Sequence, residues 1–373
     1  MTSSTNNKLI SRNDFILTPY LRRSNLRAFW QVLTTLIPIA LLWNLISFIT
    51  NTGHPFLITA LELLPVLGLL TLLSSRTFSL MHDCGHGALF RSRWLNRVVG
   101  FFLGAINAIP QHPWSRDHAF HHKHNGDWEI YRGPVDVLSL NAFKSLPAFN
   151  KSLYTLSRHW IMLFPGGFFY LVIKPRLTLI HATICFIRSF LIELINKIHR
   201  RDFENLFNIT TRFRSYHSGY GNTSGELIDL FANNVAVITG WFLMSRWLGL
   251  GLFWSCYSII MTASAAIFIC IFFVQHNFEG SYASRTEDWS VLRGAIEGSS
   301  NLDIPDYLNW FLADISFHTI HHLCERIPNY NLRACHNRNK HLLLNARYLK
   351  IKDIPNCFQY ILWDEKSQEL STT

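Results

Sequence analysis

Apolar residues in this chain gather into four long runs, at residues 33–50 (LTTLIPIALLWNLISFIT), 57–75, 230–248 and 250–273. Each is close to the length that crosses the hydrocarbon core of a bilayer as a helix. The first two runs are joined by a short connector, 51–56, that holds no lysine or arginine, and the last two meet at a tip where Arg246 is the nearest cation. The pattern predicts two helical hairpins. Arginines 12, 22, 23 and 27, with Lys8, precede the first run, and Arg91, Arg93 and Arg97 follow the second, so both tips should face away from the cytoplasm and both termini towards it.

Two further stretches are apolar but interrupted. Residues 98–110 are too few to span, and residues 159–191 are broken by Pro165-Gly166-Gly167 and flanked by basic residues including Lys174, Arg176, Arg188, Lys197, Arg200 and Arg201. The first predicts a re-entrant or interfacial helix, the second helices lying in the membrane interface. Glu62 is the one carboxylate inside a predicted span, which makes it a candidate functional charge or the partner of a bundle asparagine or tryptophan. The fold class expected is all-α integral membrane: four transmembrane helices in two hairpins, interfacial helices, and a cytoplasmic histidine-rich cap, in a single domain over residues 1–373.

Composition agrees with this pattern. Of 373 residues 49% are hydrophobic and only 16% charged, against roughly 25% charged in soluble domains. The net charge of +10 resides mostly in polar segments, where it suits an anionic leaflet or an acidic protein partner. It does not suit nucleic acid, because no basic helix or aromatic-interleaved basic stripe is present. Seven cysteines form no CxxC pair and read as reduced thiols. The polar N-terminal MTSSTNNKLISRNDF lacks the apolar core of a cleavable signal, so the first run is expected to be retained as an anchor.

The polar segments carry the chemistry. His318, His321 and His322 follow an HxxHH spacing, and so do His118, His121 and His122; His82 and His86 form an i, i+4 pair in HDCGH. Residues at i, i+3 and i+4 share one face of a helix, so their imidazoles converge on one point. A single HxxHH is expected by chance about 0.04 times in a chain of this composition, so two copies call for a shared cause. Eight clustered histidines exceed what one tetrahedral zinc uses and are enough for two metal ions with open positions. Imidazole alone does not choose among iron, zinc and copper.

HDCGH, HAFHH and HTIHHLCERIPNYNL together resemble the three histidine boxes of the membrane fatty acid desaturase family, the last of them in the form found in acyl-lipid desaturases. The resemblance covers roughly residues 75–336. It implies a di-iron centre (two iron ions, Fe2+/Fe3+) ligated by His82, His86, His118, His121, His122, His318, His321 and His322, with His276, just beyond the last span, as a ninth ligand. It also implies O2 as co-substrate and removal of two hydrogens from neighbouring methylenes of a lipid acyl chain held in an apolar tunnel. Asp83, Asp117, Asp127, Glu279 and Asp314 lie within or beside the boxes and are candidates to orient the ligating rings. His124 is a candidate for the same role, whereas His54, His112, His159, His181, His199, His217, His336 and His341 carry no ligand spacing.

No GxGxxG fingerprint for a flavin or nicotinamide occurs, nor an HPGG string of a fused cytochrome b5. A separate electron donor of ferredoxin or cytochrome b5 type is therefore implied. Hydroxylases and ketolases of the same superfamily share the box spacing, and a membrane metal-binding or transport protein is the non-redox alternative. The latter calls for ionisable residues along a path inside the spans, where the chain offers only Glu62.

Overall fold

The computed structural model describes residues 10–130, 137–200 and 223–373. Lys8, Arg201 and His217 lie outside the described residues. The chain divides into two compact units, one formed by the described parts of Met1–Arg27, His118–Trp160 and Cys270–Thr373, the other by Ala28–Asp117 and Ile161–Ile269.

The second of these units is built from long apolar helices. Among the described residues five helices are long and apolar enough to cross a membrane: Asn25–Thr50 (α1), Phe56–Gly85 (α2), Trp160–His199, Gly225–Leu248 and Leu250–Val274. Four match the predicted runs. The fifth runs on through Pro165-Gly166-Gly167 and so corrects the expected break within residues 159–191. Pro165 sits in the first turn of Leu163–Phe168, where a missing N–H costs nothing, and a π turn at Phe169–Ile173 passes the helix on to Lys174–Arg200 without a break. Gly167 is a packing residue, since a Cβ there would lie 2.7 Å from the Ala265 Cβ. A Gly167→Leu substitution is expected to force these helices apart and cost about 1–3 kcal/mol, readable as a lower melting temperature in detergent.

The interior of this unit is apolar at one end and polar at the other. Ile46, Ile49, Val66, Leu70, Cys256 and Ile260 form one cluster. Further along α2, Phe78 stacks on Phe268 at 3.7 Å, and the buried Arg76 donates from Nε to the Thr35 hydroxyl at 3.0 Å. Glu62 stands near the start of α2, which begins at Phe56, and meets the His54 ring at 3.2 Å, both groups partly exposed. The helix Arg93–Ile106 (α3), capped by the Ser92 hydroxyl, begins before the predicted run 98–110 and stops short of its end.

The other unit carries small sheets and short helices. Strand β1 (Leu138–Ser139) runs parallel to β4 (Leu362–Asp364), which pairs antiparallel with β5 (Glu369–Ser371); β2 (Ser300–Asp303) pairs in parallel with β3 (Arg347–Lys350). Its main core joins Phe15 to Ile320, Leu323, Ile327, Leu332 and Cys335. The N-terminal segment is tied down along this core. Arg12 donates to the Leu323 carbonyl, the Ile16 N–H to Asn339 Oδ1, and the Asn331 amide to the Tyr20 carbonyl, at 2.8–2.9 Å. The RIPNYNL string thus serves as the seat of this strap. All seven cysteines are free.

Candidate metal centre

Each histidine cluster is delivered by an element whose ends are fixed. The second box rides on Gln111–His124 (α4), and the loop before it is held from two helices. Arg176 donates to the carbonyl of Ala108, which has φ +56°, and to Asn233 Oδ1, while the Asn233 amide donates to the Ile109 carbonyl. Asp229 then accepts the His112 backbone N–H at 3.0 Å, satisfying one of the free donors at the start of α4.

The third box is a six-residue helix, His318–Leu323, entered through two residues in left-handed conformation, Ala313 (φ 51°) and Asp314 (φ 57°). Such backbone persists only where neighbours over-determine it. Here the buried Asn309 donates to Asp314 Oδ1 and accepts from the Ser316 hydroxyl, both at 2.6 Å, and Arg333 reaches both Asp306 and Asp314. At the helix start Asn301 on β2 accepts the Thr319 N–H and donates to its hydroxyl.

Seven of the nine predicted ligands come together in one unit, in two sets. His121, His276 and His322, all buried, offer ring nitrogens within 4.8 Å of one another, as do His118, His122 and His321. His318 lies beside the first set, its Nε2 3.0 Å from that of His276 and 3.1 Å from that of His322. Nε2 to Nε2 distances are 3.1 Å for His121 and His276, 3.0 Å for His118 and His122, and 3.1 Å for His122 and His321. In the other unit, His82 and His86 at the end of α2 approach each other to 3.3 Å by the same atoms.

These distances fit a metal better than they fit hydrogen bonds. An ion about 2.1 Å from each imidazole nitrogen sets neighbouring nitrogens roughly 3.0–3.4 Å apart in tetrahedral or octahedral geometry. The His276 tautomer sharpens the point. Its Nδ1 lies 3.1 Å from the Gly298 carbonyl, which can only accept, so Nδ1 carries the proton and Nε2 presents a lone pair. That lone pair faces both His121 and His318 and cannot serve two partners fully, whereas a shared cation serves all three.

Burial keeps the rings in the form a metal needs. It lowers the His276 pKa to about 4 against the opposing bond to Gly298, and burial with the neighbouring imidazoles holds His322 well below the ordinary value. Neutral imidazole is the ligating form.

Among the carboxylates expected to orient rings, Asp83 comes within 3.5 Å of His82 Nδ1. The others are engaged elsewhere: Asp117 with Arg116, Asp127 with the Thr286 hydroxyl, Glu279 with Arg347, and Asp314 with Asn309 and Arg333. His124 packs on Phe120 and Trp289. The orienting group for His276 is a backbone carbonyl, which no sequence pattern announces. Gly298 also accepts from the Asn125 amide at 2.9 Å, and the same amide donates to Gly294 at 2.7 Å. Asn125 stands directly after α4, three positions beyond His122, so one side chain couples two ligand-bearing segments.

The profile of the fatty acid desaturase family matches residues 57–352, a span that encloses all nine histidines. The chain belongs to the fatty acid desaturase family. Curated relatives agree with this membership. A fatty acid desaturase of Bacillus subtilis is 27% identical over 341 residues, covering 91% of this chain and 84% of the relative. An sn-1 oleoyl-lipid 12-desaturase of Synechocystis is 26% identical over 70% of this chain and 64% of the relative. An sn-1 acyl-lipid omega-3 desaturase (ferredoxin) of Nostoc is 22% identical over 68% of this chain and 61% of the relative. The chain thus spans less than two thirds of the last two. As a desaturase family member it is an oxidoreductase of lipid metabolism, and its five apolar helices mark a membrane protein.

Proposed function

We propose that this desaturase removes one hydrogen from each of two neighbouring methylenes of a lipid acyl chain, with O2 and two electrons as co-reactants. The observation that carries the reading is the pair of imidazole sets at metal-ligand spacing inside the matched region. In balance, –CH2–CH2–, O2, two electrons and two protons give –CH=CH– and two waters. Nine histidines, His82, His86, His118, His121, His122, His276, His318, His321 and His322, hold two irons in this reading. Bound there, iron supplies the redox chemistry that breaks unactivated C–H bonds.

The chain's own residues do the rest. Burial keeps the rings neutral and water out, and the Gly298 carbonyl fixes which nitrogen of His276 faces the ions. A saturated chain offers no polar handle, so the apolar helices must set which carbons react through the shape of a tunnel. In this reading the four predicted runs cross and the helix Trp160–His199 does not, so the centre and both termini lie on the cytoplasmic side, where cations flank the spans. Electrons come from a separate ferredoxin or cytochrome b5 type donor; the Nostoc relative, named for ferredoxin, supports this.

The test is expression with a matching donor and gas chromatography of the fatty acids. A new unsaturated species that disappears in His121→Ala and His318→Ala is the expected result. A hydroxylated chain in its place shifts the reading to the hydroxylase branch, and no altered acyl product from iron-loaded protein overturns it.

A further inference from the structure

The segment that follows the third histidine box has a charge pattern that ligation does not require. Residues 326–352 contain seven lysines and arginines and no carboxylate. Arg338, Lys340 and Lys350 are exposed, with Leu344 and Ile351 exposed in the same segment, while Arg347, also exposed, is paired with Glu279. Exposed apolar residues interspersed with exposed cations in one segment are the composition of a polar-rimmed docking patch.

Beneath this surface runs a continuous aromatic path. Tyr348, on β3, is 38% exposed, and its hydroxyl lies 3.2 Å from Nε2 of His336. His336 is buried, and its ring meets Phe317 with centroids 4.9 Å apart. Phe317 is bonded in sequence to His318, whose Nε2 is 3.0 Å from that of His276. Lys340 stands close enough to His336 to add to the burial that lowers its pKa. A buried histidine between a surface tyrosine and a ligand-bearing helix has no part in the packing of the metal sets.

We propose that residues 326–352 are the docking surface for an acidic one-electron carrier protein, and that Tyr348, His336 and Phe317 form the tunnelling bridge from it to the histidine centre. The proposal rests on the desaturase reading above. Two carrier molecules in turn, or one reduced twice, each pass one electron inward; the carrier is oxidised and the centre reduced, and O2 takes the electrons with those from the two C–H bonds. Complementary charge raises the encounter rate, and this advantage fades with salt.

The test uses the full chain, iron-loaded, in neutral phosphatidylcholine nanodiscs, with a reduced [2Fe–2S] ferredoxin as probe. Binding of oxidised ferredoxin and the rate of metal reduction are both followed against salt. The triple variant Arg338→Glu, Lys340→Glu, Lys350→Glu is expected to weaken binding and the second-order rate by about tenfold or more at low salt and to flatten the salt dependence. Its iron content and its reduction by dithionite should stay at wild-type level. His336→Leu should slow the rate at saturating ferredoxin several-fold while leaving ferredoxin binding intact.

Unchanged ferredoxin binding in the triple variant overturns the docking surface, and so does a loss that appears equally with dithionite. If instead only affinity for phosphatidylglycerol-containing nanodiscs falls, the patch faces lipid and the proposal fails. Wild-type protein that makes no product with any carrier, yet binds ferredoxin through this patch, would sink the desaturase reading and leave the surface standing.

Discussion

Alanine at His276 should remove product below detection and release iron from the chain, with the fold retained. His276 Nε2 stands 3.1 Å and 3.0 Å from the matching atoms of His121 and His318, so it is common to both of those contacts. Groups that only orient a ligand already cost 10–100-fold when replaced, so loss of the ligand itself is expected to exceed about 100-fold. The fold should survive for a specific reason. The Gly298 carbonyl loses one donor but keeps the Asn125 amide at 2.9 Å, so no acceptor is left stranded. Iron content by elemental analysis and double-bond content by gas chromatography read the two effects separately. His54→Ala, at the far end of α2 beside Glu62, is the control and should change neither. Half or more of the wild-type activity in His276→Ala would remove this residue from the ligand set.

Much of this architecture was legible because membranes and metals impose patterns on neighbouring residues. The four apolar runs became four of the five long helices, since nothing but a continuous helix satisfies backbone groups in lipid over that length. The two HxxHH strings lie together, but each divides between the two sets: His118 and His122 meet His321, while His121 meets His276 and His322. In the run 159–191, Pro165-Gly166-Gly167 looks like a breaker in isolation, yet the helix continues through it. Whether proline interrupts depends on its place in the turn, and whether glycine loosens a helix depends on a partner such as Ala265, which lies 98 positions past Gly167 in sequence. Glu62 illustrates the same limit of pattern, because hydropathy does not show that His54 folds back on it.

The carboxylate expectations fared unevenly for a physical reason. Proximity in sequence brings Asp83 to His82, but Asp127, Glu279 and Asp314 are drawn off by Thr286, Arg347 and Arg333, partners set by tertiary structure. What orients His276 is a carbonyl on Gly298, 22 residues away. Any residue type supplies a carbonyl, so sequence carries no trace of it. The glycine itself is a trace, though one readable only with the fold in hand: a Cβ at position 298 would lie 2.7 Å from the Gly294 carbonyl and 3.2 Å from the Asn125 amide.

That junction sets the second large effect, at Asn125. Its side-chain amide nitrogen donates to the carbonyls of Gly294 and Gly298 at 2.7 Å and 2.9 Å, and its backbone carbonyl accepts from the Trp289 indole at 2.8 Å. Asn125→Leu keeps the volume and removes the amide, stranding the Gly294 carbonyl, at a cost of about 1–3 kcal/mol. The end of the second box is then free to drift from Gly298 and His276, and activity is expected to fall about 10–100-fold, the range seen for groups one step removed from a metal. Asn125→Asp tests the mechanism more sharply. A carboxylate of nearly the same shape puts an oxygen against two carbonyl oxygens, turning two attractions into two repulsions in a buried site. The order of thermal stability and iron retention should therefore be wild type, then leucine, then aspartate. If aspartate were tolerated better than leucine, shape rather than hydrogen bonding would hold the junction, and the coupling drawn between the second box and His276 would be wrong.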